Sequence, residues 1–230
     1  MKPRLLDLFC KAGGAGTGYH RAGFEVVGVD VEPQPNYPFE FHRADALGVL
    51  RGMVDYPSFS GAMWRPGYFA AIHASPPCQL FTAYRRRGAG VGAGYPNLIA
   101  ATRELLGSTG VPYVIENVPQ APLLNPVQLC GSSFGLDVRR HRLFEINVPM
   151  LAPPCSHGWQ TPRFPPATNR LKQRRTVEVG VWRIPLEVQR AAMGIDWMDL
   201  SELSEAVPPA YTEFIGEQLL AHLRSEVSSC

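Results

Sequence analysis

The chain lacks a dominant charge: 22 Lys plus Arg stand against 20 Asp plus Glu, a net +2, so no overall field announces a polyanionic or membrane partner. It lacks paired-cysteine spacing. Five cysteines, at 10, 78, 130, 155 and 230, are odd in number with no CxxC, which argues against a disulfide framework and for a reducing, cytoplasmic setting. It also lacks long apolar runs. The opening stretch MKPRLLDLFC breaks its short apolar run at Asp7 and then enters glycines, so neither a signal peptide nor a membrane anchor is expected. No internal repeat is visible. What is present is a well-supplied core, with 45% hydrophobic, 10% aromatic and 18% charged residues, the profile of a folded globular chain. At 230 residues one full domain with a small appendage is expected, and 22 Gly with 22 Pro predict many loops.

RLLDLF (4–9) reads as a strand, KAGGAGTG as a glycine-rich loop, YHRAGF as a short helix and EVVGVD as a second strand ending at Asp30. GYFAAIHASPP (67–77) reads as a buried strand stopped by two prolines, 96–108 as a helix with Leu98, Thr102, Leu105 and Leu106 on one side, and VPYVIENV (111–118) as a third buried strand. RLFEINV (142–148) alternates like another strand, and 185–196 and 209–224 look helical. Strands alternating with helices predict an α/β fold, a doubly wound and mostly parallel sheet. The Pro-rich, polar stretch 149–183 reads as a small insertion into a domain made of 1–148 and 184–230.

Three strand ends carry chemistry. A glycine-rich turn followed by an acid at the end of the next strand lets backbone approach a nucleotide-like ligand while Asp30 takes ribose hydroxyls. The alternative is that Gly13 and Gly14 serve only a tight turn. Ser75-Pro76-Pro77-Cys78-Gln79 fixes a rigid backbone where ligand sites of such sheets lie, presenting Cys78 as a nucleophile or, alternatively, as a packed thiol. Glu116-Asn117-Val118 closes another strand, where a buried carboxylate needs a partner or a raised pKa.

Taken together these stretches resemble the cytosine-C5 methyltransferase family, in its compact phage or bacterial form. DLFCKAGG (7–14) is similar to that family's cofactor loop, SPPCQ (75–79) to its nucleophile motif, ENV (116–118) to its catalytic acid, RRHR (139–142) to its paired arginines and SEAVPP (204–209) to its last motif. The resemblance implies the Rossmann-like fold of S-adenosylmethionine-dependent methyltransferases. It implies Cys78 as the thiolate that adds to cytosine C6, Glu116 as proton donor at N3, and Arg140 and Arg142 as the pair that holds the base O2 and the active site. It implies a cofactor site of Phe9, Lys11, Gly13, Gly14, Asp30, Val31, Asp45, Pro76, Leu98, Glu205 and Ala206. Double-stranded DNA is the implied partner, with base flipping because the reacting carbon is stacked inside the duplex. A monomer is expected.

Arg85, Arg86 and Arg87 sit in a glycine-rich loop after Cys78, suited to phosphates. Arg163, Arg170, Lys172, Arg174 and Arg175 give the 149–183 stretch a local positive charge, where the family's target-recognition region lies; its small size predicts a short or degenerate target. A solvated surface is the alternative for both. Cys155 and His157 form a CxH with no matching pair in the sequence, so no metal site is expected. Three positions depart from the family pattern. Lys11 replaces a glycine, Glu205 an Asn and Val138 a Gln. Lys11 and Glu205 read as a compensating ion pair, or else Lys11 receives a carboxylated S-adenosylmethionine whose product is a carboxymethyl base. Other readings are a tRNA cytosine-C5 methyltransferase and a catalytically silent nucleic-acid-binding module.

Overall fold

Alternation along the apolar runs decides the architecture. In β1 (Arg4–Leu8), Leu5 turns to one face and Leu6 and Leu8 to the other, and β2 (Glu25–Asp30) divides Val26 from Val27 and Val29 in the same way. Both faces are buried, so the strands need helices on both sides. The computed structural model describes residues 2–55, 64, 67–81, 96–161 and 174–228, and it builds this two-faced sheet.

After β1 come α1 (Gly14–Ala22), β2, β3 (Glu40–Arg43), α2 (Ala46–Asp55), β4 (Ala71–Ala74), α3 (Ile99–Ser108), β5 (Tyr113–Asn117), β6 (Val127–Leu129) and β7 (Arg142–Ile146). The seven strands form one sheet in the order β3-β2-β1-β4-β5-β7-β6. The first five are parallel, and β7 runs antiparallel to both β5 and β6. The expected doubly wound, mostly parallel α/β sheet is what the chain forms. Two-residue strands β8 (Gln160–Thr161) and β9 (Arg174–Arg175) pair apart from it. Three helices follow: α4 (Leu186–Met193), α5 (Leu200–Glu205) and α6 (Pro209–Ser228). Among the described residues no helix is long and apolar enough to cross a membrane.

One core layer packs Leu6, Leu8, Val27, Val29, Ile72 and Ile115 against Leu50, Met53 and Leu106 of α2 and α3. The other packs Leu5, Val26, Ala71 and Val114 against Tyr19 of α1 and Tyr211, Ile215 and Leu219 of α6. A third cluster joins Ala12 and Val138 to Met193, Met198 and Leu203 of the α4–α5 region. Bidentate hydrogen bonds from Arg103 to the buried Glu145 carboxylate, at 2.6 and 2.7 Å, fasten α3 to β7.

The sequence reading placed most core elements and missed four. α2 carries Gly48 and Gly52, which weaken its helical reading, yet Leu47, Leu50 and Met53 recur at helical spacing and are buried. β3, β6 and α5 are three to six residues long, too short to show a period. The expected helix 96–108 begins at Ile99, with Leu98 as its N-cap residue.

The contact between α1 and α6 is unusually close at Gly18, where an added Cβ would overlap Pro209 O and Thr212 Oγ1. Thr212 Oγ1 in turn donates to Ala15 O at 2.8 Å. A Gly18→Ala substitution therefore forces two helices apart and is expected to destabilise the protein by about 1–3 kcal/mol or more in urea unfolding; an unchanged midpoint would contradict this packing.

Candidate active site

Parallel strands end on one edge, and the site is built there, where the strand order reverses between β1 and β4. Just beyond β1, Phe9 and Lys11 take positive φ angles of 56° and 46°, uncommon for residues with a side chain. The loop is held from several directions. Lys11 N donates to Asp30 Oδ2 at 3.1 Å and Glu32 N to Asp30 Oδ1 at 3.0 Å, while Trp197 Nε1 donates to Ala12 O at 2.8 Å. Gly13 has φ 80° and lies against the Tyr37 ring and Pro38, and a Cβ on Gly14 would come within 2.6 Å of Val207 O. Both glycines thus have packing reasons to be glycine.

At the end of β4, Ser75 N donates to Leu8 O at 3.1 Å, and the Pro-Pro turn leads to the half-buried Cys78. Asn117 Nδ2 donates to Pro76 O at 2.8 Å, which ties the turn that carries Cys78 to the end of β5. Glu116, one residue earlier, is buried and pairs with Arg142 Nε at 3.1 Å. A buried polar chain runs behind it: Tyr19 OH to His73 Nδ1 at 2.9 Å, His73 Nε2 to Ser75 Oγ at 2.9 Å, and Ser75 to Glu116. Sequence reasoning missed this chain, although a histidine inside the apolar run AAIHAS was a visible sign.

Burial sets the electrostatics. It pushes the Glu116 carboxyl above the ordinary glutamate value, with Arg142 and the Ser75 hydrogen bond pulling the other way. It also pushes the Cys78 thiol up, helped by the Glu116 charge and opposed by Arg142. His73 is driven down to about 3 by burial and stays neutral. Asp7, buried on the α1 side of β1 and accepting from Tyr37 OH at 3.2 Å, is raised to about 8, chiefly by burial.

One cavity collects these groups. Among the sequence-derived candidates it is lined by Phe9, Lys11, Gly14, Pro76, Cys78, Glu116, Arg142, Glu205 and Ala206. Asp7, Ser75, Gln79, Met198 and Glu202 line it too and were not anticipated as site residues. Among the described residues its lining does not include Gly13, Asp30, Val31, Asp45, Leu98 or Arg140. Asp45 accepts from Gly48 N at 2.9 Å at the start of α2, and Val31 is exposed.

Arg140 does not line the cavity. Its backbone has φ 35°, and its guanidinium turns from the cavity to donate to Ala206 O at 2.8 Å and Ser204 O at 2.6 Å. It fastens the end of α5, whose carbonyls lack partners within the helix, and burial lowers it to about 9. With Val138 buried in an apolar cluster, Tyr211 OH supplies the bonds behind it, donating to Arg140 O at 2.9 Å. Lys11 Nζ lies 3.6 Å from Glu205 Oε2, the geometry of the compensating pair. Arg85, Arg86, Arg87, Arg163, Arg170 and Lys172 lie outside the described residues; Arg174 and Arg175 form β9.

No protein-family model matches the chain. Over 91 residues it is 29% identical to the Type II methyltransferase M.AgeI of Thalassovita gelatinovora, a match that covers 36% of this chain and 20% of that protein. The chain thus spans about a fifth of that relative. Among solved structures it superposes on the Schizosaccharomyces pombe Dnmt2 methyltransferase with TM-score 0.56 and 11% identity, covering 96% of this chain and 99% of that one. It superposes on the Entamoeba histolytica methyltransferase EhMeth with TM-score 0.57 and 13% identity, covering 99% of each. At these identities the likeness is one of fold, and the fold is the Rossmann-like fold of methyltransferases.

The buried Asp7 gives a pH test of this core. Its folded pKa, about 8, lies above the unfolded value of 3.8, so its contribution to stability is fully present below 3.8 and lost as pH rises through about 8. Measured by urea unfolding, the stability of the native chain relative to Asp7→Asn should fall across that window, by no more than about 1.4 kcal/mol per pH unit. A difference independent of pH would contradict the burial of an ionisable Asp7.

Proposed function

We propose that this chain transfers a methyl group from S-adenosylmethionine to C5 of cytosine in DNA, with Cys78 as transient covalent nucleophile. The observation that carries the reading is the convergence of Cys78, Glu116 and Arg142 on a cavity whose wall also includes the loop after β1. Phe9, Pro76 and Ala206 give that wall apolar surface, and Lys11 and Glu205 give it both charges, a composition that fits a ligand with an aromatic base and a zwitterionic end. On the family pattern Asp30, Val31, Asp45 and Leu98 are assigned to its adenosine end and Gly13 to shaping the loop. When bound, S-adenosylmethionine supplies a sulfonium methyl as the electrophile.

Cytosine C5 is too weak a nucleophile to take that methyl unaided. The Cys78 thiol gives its proton to solvent and the thiolate adds to C6, opening the C5–C6 double bond and turning C5 into an enamine carbon. The Glu116 carboxyl, whose hold on a proton burial strengthens, takes up a proton as the base binds and donates it to N3, which draws electron density into the ring for the addition. Arg142 positions that carboxyl through Nε and stands beside the base O2. After C5 takes the methyl, leaving a neutral thioether behind, a base removes the C5 proton, N3 returns its proton to Glu116, the C6–sulfur bond breaks and Cys78 leaves as thiolate. Arg140 is assigned to positioning, through the α5 carbonyls it binds.

The target base must leave the stack to reach Cys78. Arg85 to Arg87 and the basic residues of 163–175 are assigned to the phosphates, and 149–183 to target recognition. The ion pair between Lys11 and Glu205 matches the cation within the protein, which favours the ordinary donor over a carboxylated one.

Mass spectrometry of nucleosides from DNA of cells expressing the protein should give a C5-methylcytosine peak. The peak should be absent with Cys78→Ala and reduced about 10²–10⁴-fold in rate with Glu116→Gln. A product heavier by a carboxyl group would replace the donor, a product confined to tRNA would replace the substrate, and an unchanged peak in Cys78→Ala would overturn the mechanism.

A further inference from the structure

One cluster of reactive side chains takes no part in this chemistry. Cys130 follows β6, His141 immediately precedes β7, and Cys155 and His157 begin the polar stretch after it. In sequence they read Cys-x10-His-x13-Cys-x-His, which matches no familiar zinc spacing, and this is why the CxH at 155–157 looked unpaired. The fold supplies the missing pair. All four ligand atoms lie within 4.8 Å of one another.

Two sulfur–nitrogen distances set the scale of the cluster. Cys130 Sγ lies 3.2 Å from His157 Nε2, and Cys155 Sγ lies 3.4 Å from His141 Nε2. A tetrahedral zinc ion with bonds of about 2.3 Å to sulfur and 2.0–2.1 Å to nitrogen sets its sulfur and nitrogen ligands about 3.5 Å apart. We propose that Cys130, His141, Cys155 and His157 bind a single zinc ion. Two thiolates balance the charge of a divalent ion and two neutral imidazoles complete the shell; the two thiol protons go to solvent on binding. All four donors lie close enough together to meet on one ion. Donors also surround the sulfurs: Ser132 Oγ reaches Cys130 Sγ at 3.1 Å and Gln128 Nε2 reaches Cys155 Sγ at 3.6 Å, the outer contacts that orient thiolate ligands.

All four positions carry protein ligands, so the site is closed and structural. It staples the root of the 149–183 stretch to the β6–β7 edge of the sheet. His141 stands between Arg140, which holds α5, and Arg142, which pairs with Glu116. The ion thereby fixes the candidate recognition stretch to the backbone that carries the catalytic pair.

The test uses the full-length protein purified from zinc-supplemented cells and washed with chelator. Elemental analysis should give one zinc per chain, and Co(II) substitution should give the visible spectrum of a tetrahedral, thiolate-bound ion. Cys155→Ser and His157→Gln, at outer positions, should each fall below about a tenth of an equivalent while keeping native far-UV circular dichroism. If a variant fails to fold, competition of the native protein against a chromophoric zinc chelator decides. Zinc that survives the chelator supports the site. Zinc lost to it, a chain free of metal as purified, or zinc content unchanged in both variants overturns it. Metal content is read without any methylation assay, so this result stands apart from the fate of the proposed activity.

Discussion

The arrangement turns on a carboxylate buried at the end of a strand. Glu116 cannot sit ionised in the interior without a partner, and the partner is Arg142, 3.1 Å away and itself mostly buried. Removing one member of such a pair leaves an unmatched charge and costs about 3–5 kcal/mol. The sheet topology makes the pair available. Parallel strands deliver their carboxyl ends to the functional edge, but antiparallel β7 delivers its first residue there: Asn117 lies opposite Leu143 and Glu116 opposite Phe144, so Arg142 arrives beside the β5 terminus. A parallel strand in that place would have sent its first residue to the opposite edge.

Everything else at the site is arranged around that pair. Asn117 binds the Pro76 carbonyl and sets the turn that carries Cys78 against β5, while the chain Tyr19, His73 and Ser75 reaches Glu116 from behind. Arg140 holds the carbonyls that end α5 and so keeps Glu205 and Ala206 in the cavity wall. Gly14 and Gly18 let α1 approach the 207–212 segment closely enough to close the cavity from the other side. These distant stretches of sequence meet through side chains that bind backbone carbonyls and through close helix packing at glycine.

Much of this was legible in the sequence. The apolar runs of β1, β2, β4 and β5 announced a parallel sheet, and the turns that follow them named Cys78, Glu116 and the loop at 9–14. What was not legible follows from physical causes. The family resemblance gives Arg140 and Arg142 one role, but Arg140, with its positive φ just ahead of β7, binds carbonyls at the end of α5 while Arg142 pairs with Glu116. Asp30 reads as a ribose acceptor, but whether its oxygens are already engaged depends on the path of the loop. The meeting of Cys130 and His141 with Cys155 and His157 depends on the β6–β7 pairing, a contact that no local spacing encodes.

In the proposed mechanism Cys78 forms a bond to the target base under the control of Glu116 and Arg142. The most direct measurement is intact-protein mass spectrometry after incubation with S-adenosylmethionine and duplex DNA carrying 5-fluorocytosine. Fluorine at C5 leaves no proton for the final elimination, so the adduct cannot resolve. The expected result is a stable species heavier by one DNA strand and one methyl group, mapped to Cys78 and missing from Cys78→Ala. Methylation of ordinary DNA with no trapped species, or a trapped species that persists in Cys78→Ala, would contradict it.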